Sequence, residues 1–295
     1  MISIVISSVN PTYLNDLSIN ICETIGVPYE ILSFDNREGS SGICEIYNKG
    51  IAQAKFDIIC FIHEDIIVHT QSWGQVLAEI FSDPKIGLVG LAGSTYKSLA
   101  PTGYYFTGND QLDLNYCNVK QRYKYADRQD GHDYFNPTNE LDVHAACVDG
   151  VWLCASKSAL DLYKFDDDLL RGFHGYDLDL SLGINQSFKV LVTFRILITH
   201  FSEGNFDRKW FEEILKVHQK WAGALPLNLA GINEKEVLNI EKRVFRYSFI
   251  RMKNWGFSLF DLSKVVYFAG RSRICSIGFS FKLYFSVLKY FFRRD

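Results

Sequence analysis

No apolar stretch in this chain reaches the ~18 residues that span a bilayer before a charge interrupts it, which excludes a membrane-spanning helix and leaves a soluble or surface-bound protein as the expectation. The cysteines at 22, 44, 60, 117, 147, 154 and 275 never form a CxxC pair. That argues against a structural zinc site and fits reduced thiols in a cytosolic protein. None of them carries the histidine pairing of a covalent nucleophile. The first basic residue is Arg37, so no signal peptide is visible. A GxGxxG after the first apolar run is also missing, which weakens a dinucleotide or S-adenosylmethionine reading. A net charge of −3 gives no argument for nucleic acid as a partner. Internal repeats and low-complexity tracts are absent.

What is present points to one large α/β domain with an appendage, for which 295 residues suffice. Charge is unevenly placed: residues 233–295 hold 13 Lys/Arg against 5 Asp/Glu, while residues 1–232 hold 18 against 29. An acidic domain over 1–230 and a basic, aromatic helical extension over 231–295 follow from that asymmetry. Aromatic residues reach 15 %.

The first hundred residues alternate strand and helix. Ile2–Ser7, Glu30–Asp35, Phe56–Ile62 and Ile86–Leu91 read as buried strands. Tyr13–Ile25 and Trp73–Phe81 have helical spacing, and Ile43, Ile46, Tyr47, Gly50, Ile51 and Ala54 mark one buried helical face. This alternation predicts a mostly parallel sheet between helical layers. Residues 94–142, rich in Tyr, Asn, Asp and Gly, read as a long, partly ordered insertion of the kind that forms substrate-facing lids. Order resumes at Val148–Ala155 and Phe188–Thr199, and an amphipathic helix follows from Phe206 to Trp221.

Ligands of parallel α/β sheets bind beyond the carboxyl ends of the strands. Those ends carry Ser7, Asp35, Asn36, His63, Glu64 and Asp65. In FIHEDI, His63 and Asp65 share one side of an extended chain with Glu64 opposite. A carboxylate there suits Mg²⁺ or Mn²⁺ on a diphosphate, although acidic residues also cap strand ends without a ligand. The RGFHGYDLDL stretch places Asp177 and Asp179 behind a Gly-Phe-His-Gly turn. Either carboxylate could serve as a general base with the other orienting the loop, or both could be the acidic first turn of a helix. His200 follows the hydrophobic run Ile196–Thr199, where a histidine is commonly structural.

Taken in order, Asp35-Asn36, SSGICEIYNKGIAQA and FIHEDI resemble the nucleotide-binding half of family 2 glycosyltransferases, over roughly residues 1–210. The resemblance implies a GT-A fold, a Rossmann-like three-layer α/β sandwich. It implies that Asp35 contacts the base of a nucleotide-sugar donor, a UDP-sugar foremost, and that Asn48 belongs to the donor-binding helix. Asp65 then holds the metal, with His63, where the family has Asp, as a further candidate ligand, and ITHFSEG supplies His200 to complete the site. Asp177 becomes the base that deprotonates a saccharide acceptor for single displacement with inversion, through an oxocarbenium-like transition state. His174, Tyr176 and Asp179 fall near the sugars, and Ser7, Asn36 and Glu64 near the donor. Two other readings are a non-catalytic GT-A-like binding subunit and a sugar nucleotidyltransferase. The latter would carry a glycine-rich basic loop where this chain has SSVNPTYL.

On a helix the C-terminal residues Lys282, Ser286, Lys289 and Arg293 form one polar stripe amid aromatic residues. That pattern suits a helix lying on an anionic membrane, with a lipid-linked saccharide as acceptor at the cytoplasmic face. It also suits a helix that packs on the catalytic domain or on a second subunit in a homo-oligomer.

Overall fold

The computed structural model describes residues 1–105, 113–123, 129–202, 204 and 206–292. The chain forms two compact units, one of residues 1–94 and 115–205, the other of 95–114 and 206–295. The division therefore differs from a cut at 230: the second unit starts earlier and draws a segment from mid-chain.

The first unit opens with β1 (Ile2–Ser8), α1 (Pro11–Thr24), β2 (Tyr29–Asp35), α2 (Ile43–Gln53) and β3 (Ile58–Ile62). Next come β4 (Ile66–Val68), α3 (Trp73–Ile80), β5 (Ile86–Gly90) and β6 (Ala92–Ser94), then β7 (Tyr96–Lys97) of the second unit. The first unit resumes with β8 (Asn115–Gln121), β9 (Gly131–Phe135), β10 (Asp142–His144), β11 (Cys147–Val148) and β12 (Trp152–Ser156). It ends with α4 (Lys157–Leu162), α5 (Tyr176–Ile184), β13 (Lys189–Thr193) and β14 (Ile198–His200). The second unit is completed by α6 (Arg208–Trp221), β15 (Leu227–Asn228), α7 (Glu234–Asn254), α8 (Leu259–Ala269) and α9 (Ile277–Phe291).

A seven-stranded sheet runs β10-β13-β5-β12-β3-β1-β2. β1 pairs in parallel with β2 and β3, as β13 does with β5, while β12 and β10 run the opposite way. The mostly parallel sheet expected from the alternation is thus present. β1 lies inside it, and Ile2, Ile4, Val5 and Ile6 are all buried, as a strand covered on both faces requires. α2 buries Ile43, Ile46, Tyr47 and Gly50, the face read from its spacing. A Cβ on Gly50 would collide with the Val5 side chain, so helix and strand meet through that glycine. Asn10 caps α1 by accepting from Thr12 N at 3.0 Å, with Pro11 in the first turn.

The 94–142 stretch departs from expectation. Much of it builds a second sheet, β11-β6-β8-β14-β4, with β9 added on β8. Its polar composition hid these strands because β9 is largely exposed. The buried Asn118 of β8 is satisfied instead by donating to the Phe194 and Ile196 carbonyls. Residues 106–112 and 124–128 of the stretch lie outside the described residues.

The expectation of reduced cysteines is also corrected at one pair. Cys60 of β3 and Cys154 of β12 are register partners across the antiparallel pairing and form a disulfide. A separation of 94 residues concealed that pairing in the sequence.

In the second unit, Glu241 of α7 is fully buried. It accepts hydrogen bonds from Tyr96 Oη, Ser98 Oγ, Leu99 N and Ala100 N. Four donors offset the cost of burying a carboxyl group. Residues 231–295 are therefore tied by buried bonds to the 96–100 segment. α6 has the expected amphipathic form, burying Trp210, Phe211, Ile214 and Val217. α9 buries Phe279, Leu283 and Val287.

Candidate active site and metal centre

The two sheets of the first unit bring three polar side chains together. His63 follows β3 and is fixed by its N–H to the Val151 carbonyl, 3.1 Å. Antiparallel pairing sets His200 of β14 opposite Ile66 of β4, next to Asp65, whose carbonyl accepts from Phe201 N at 3.0 Å. One ligand atom each from His63, Asp65 and His200 lies within 4.8 Å of the others. A cation with oxygen or nitrogen ligands at ~2.1 Å places adjacent ligand atoms about 3 Å apart and opposite ones about 4.2 Å apart.

Hydrogen bonds fix which nitrogens carry lone pairs. His200 Nδ1 is 3.3 Å from Gln121 Oε1, an acceptor, so Nδ1 holds the proton. Nε2 is buried without a hydrogen-bond partner, 3.6 Å from Asp65 Oδ1. A buried lone pair facing a carboxylate suits a cation shared by the two groups. The Tyr176 hydroxyl donates its single proton to the Gly150 carbonyl at 3.0 Å. Its oxygen must then accept from His63 Nε2–H at 2.9 Å, which leaves the His63 lone pair on Nδ1. Burial, aided by His200, lowers the His63 pKa to about 4, so the ring is neutral and able to ligate. For Asp65, burial acts upward, but His200 and the Ser202 hydroxyl at 2.6 Å outweigh it and hold the carboxylate well below its usual range. The neutral His63 ring, the His200 imidazole and the Asp65 carboxylate are a fitting donor set for a divalent cation.

A pair of acids, Asp149 and Asp177, adjoins this cluster. Gly175, at φ 79°, starts α5 and presents Tyr176 and Asp177 in its first turn. Gly150 admits Tyr176 closely, since a Cβ there would strike the tyrosine hydroxyl. Burial first, then the charge of Asp149, raises the Asp177 pKa to about 7. Burial likewise raises Asp149, partly offset by its bond from Val151 N and by His200. Asp149 had no signal in the sequence beyond a DG turn after an apolar run. Gln121 and Ser202 had none, because they serve the site only through sheet register. Phe173, exposed, sets its ring 5.5 Å from that of His63 and belongs to the GFHGY stretch without a role assigned from sequence.

The remaining candidates divide. Asp179 is 1 % exposed and accepts from the Tyr163 hydroxyl at 2.8 Å, so it braces α5 rather than facing a sugar. Tyr176 is buried and supports His63, which corrects its placement against a sugar. His174 lies on the loop before α5, its ring 5.7 Å from that of Phe173. Asn36 closes its own loop through Ser41 N and O. Asn48 donates to the Phe165 carbonyl at 2.9 Å, pinning α2. Asp35 is exposed and held by Arg37 at 3.0 Å, which lowers its pKa to about 2. Glu64 accepts from Val9 N and Asn10 N through one oxygen, while Oε2 is buried without a hydrogen-bond partner. Ser7 is half-buried near the end of β1. Glu203, within ITHFSEG, lies outside the described residues.

The first unit thus carries, beyond β3 of a mostly parallel α/β sheet, a three-residue cluster that could hold a metal ion. The model of the Glycosyltransferase like family matches residues 4–218, so the chain belongs to that family. It is 22 % identical over 201 residues to the streptomycin biosynthesis protein StrF of Streptomyces griseus. That match covers 66 % of this chain and 64 % of StrF. Among solved structures, S. aureus TarS 1–349 matches at a TM-score of 0.52 and 12 % identity, over 100 % of this chain and 93 % of that one. The same protein in complex with UDP-GlcNAc matches at 0.51 and 11 % identity, with the same coverage. The fold is GT-A.

Proposed function

We propose that this chain is an inverting, cation-dependent glycosyltransferase that takes a nucleotide sugar, a UDP-sugar foremost, and passes the sugar to a saccharide hydroxyl. The observation that carries the proposal is the buried, unpartnered His200 Nε2 turned toward Asp65 and His63. A divalent cation at these residues would act as a Lewis acid on the departing nucleoside diphosphate. Imidazole donors favour a transition ion such as Mn²⁺ over Mg²⁺. Tyr176 and Gln121 hold the two imidazoles with lone pairs available. Asp35 would exchange Arg37 for the edge of the base, and the free Oε2 of Glu64 would receive a donor hydroxyl. The UDP-GlcNAc in the TarS complex supports that class of donor.

Asp177 is the proposed general base. Its carboxylate takes the proton of an acceptor hydroxyl as that oxygen attacks the anomeric carbon from the face opposite the diphosphate. Burial, with the neighbouring Asp149 charge, raises its basicity into the range where such a base is effective. No protein nucleophile enters the displacement. The test is a panel of UDP-, GDP- and dTDP-sugars, with release of the diphosphate followed in Mn²⁺ and in EDTA. Release from UDP-sugars in Mn²⁺ only, with inverted anomer in the product by NMR, is the expected result. Equal turnover in EDTA, or a retained anomer, would refute the proposal.

A further inference from the structure

α9 has two apolar faces, and its own unit covers only one. Phe279, Leu283 and Val287 are buried. Ile277, Phe281, Tyr284, Phe285, Leu288 and Phe292 are exposed, with Phe285 at 70 % and Phe281 at 61 %. At 100° per residue these six fall within one strip about 100° wide. Lys282 and Lys289, both exposed, border one side of it. Arg293, the last member of the expected polar stripe, lies outside the described residues.

So wide an exposed aromatic strip is not left to water without a partner. Charge decides between a second copy and a lipid surface. The segment from Asn233 to the end of the chain carries 13 Lys/Arg against 5 Asp/Glu. Two copies joined through this strip would bring like charges together, whereas an anionic bilayer complements them. We infer that the exposed face of α9 docks on an anionic membrane surface, with the aromatic strip entering the headgroup boundary and Lys282 and Lys289 meeting lipid phosphates. The inference does not depend on glycosyl transfer.

Removing the extension is a poor test, because Glu241 of α7 is bonded to the 96–100 segment inside the second unit. Substitutions of exposed residues keep the fold. The full chain is spun with vesicles of phosphatidylcholine alone, and of phosphatidylcholine mixed with phosphatidylglycerol. Binding to the mixed vesicles, little to the neutral ones, and weakening with salt are expected. Phe281→Ser with Phe285→Ser should abolish sedimentation, and Lys282→Glu or Lys289→Glu should each weaken it about fivefold or more, all with an unchanged thermal transition. Absence of binding by the wild type overturns the inference. So does a dimer in sedimentation velocity that Phe281→Ser with Phe285→Ser dissolves while vesicle binding is untouched.

Discussion

His63 and Asp65 come from the β3–β4 connection and His200 from β14, and each is oriented by a group that meets no substrate. Asp65→Ala removes the only carboxylate of the cluster, so cation-dependent donor binding should disappear while the fold survives. Circular dichroism and a thermal-shift series in Mn²⁺ with UDP would check both halves. Tyr176→Phe keeps the ring but frees His63 Nε2, and should weaken Mn²⁺ binding about 10–100-fold, as loss of an orienting partner does. An unchanged Mn²⁺ affinity by titration would show that the tyrosine only fills space. Asp177→Asn keeps the shape yet cannot accept a proton, and turnover should drop about 10²–10⁴-fold with donor affinity nearly unchanged. Because its pKa is raised to about 7, wild-type kcat/KM should fall as the pH drops below that value. The same shift acts on stability in the opposite sense. The folded state holds this proton more tightly than the unfolded chain, so its contribution is present at low pH and lost as pH rises from about 4 to about 7. Asp177→Asn should therefore gain stability over the wild type across that window in urea titrations.

At the scale of elements, what was legible in the sequence depended on periodicity. β1, β2, β3, α2 and α6 showed because one repeat dominated each. The strands of the 94–142 stretch did not, since Asn118 and the exposed residues of β9 satisfy sheet geometry with polar side chains. The same limit divided the site. His63, Asp65, His200 and Asp177 stood at strand ends or in a turn where polar residues are conspicuous. Asp149, Gln121 and Ser202 became visible only once β8, β14 and β12 were in register. Asp179 was conspicuous for the same reason as Asp177, yet two residues along a helix rotate a side chain by about 200°, which turned it inward to Tyr163. Gly50→Ala tests the packing of α2 on β1: the added methyl meets Val5, and a loss of about 1–3 kcal/mol in denaturant unfolding is expected.

On the scale of the whole molecule, the His63, Asp65 and His200 cluster and both candidate acids lie within the first compact unit, while the basic segment belongs to the second. Chemistry and surface binding should therefore separate by mutation. Substitutions in α9 should leave turnover on a soluble acceptor unchanged, and Asp177→Asn should leave vesicle sedimentation unchanged. In the proposed mechanism His63, Asp65 and His200 hold the cation through which a nucleoside diphosphate binds. Isothermal titration of the full chain with UDP, in Mn²⁺ and in EDTA, for the wild type and for His200→Ala, tests it most directly. Tight UDP binding by the wild type in Mn²⁺ only, and its loss in His200→Ala with the fold intact, is the predicted result. UDP binding of equal strength in EDTA, or undiminished in His200→Ala, would contradict it.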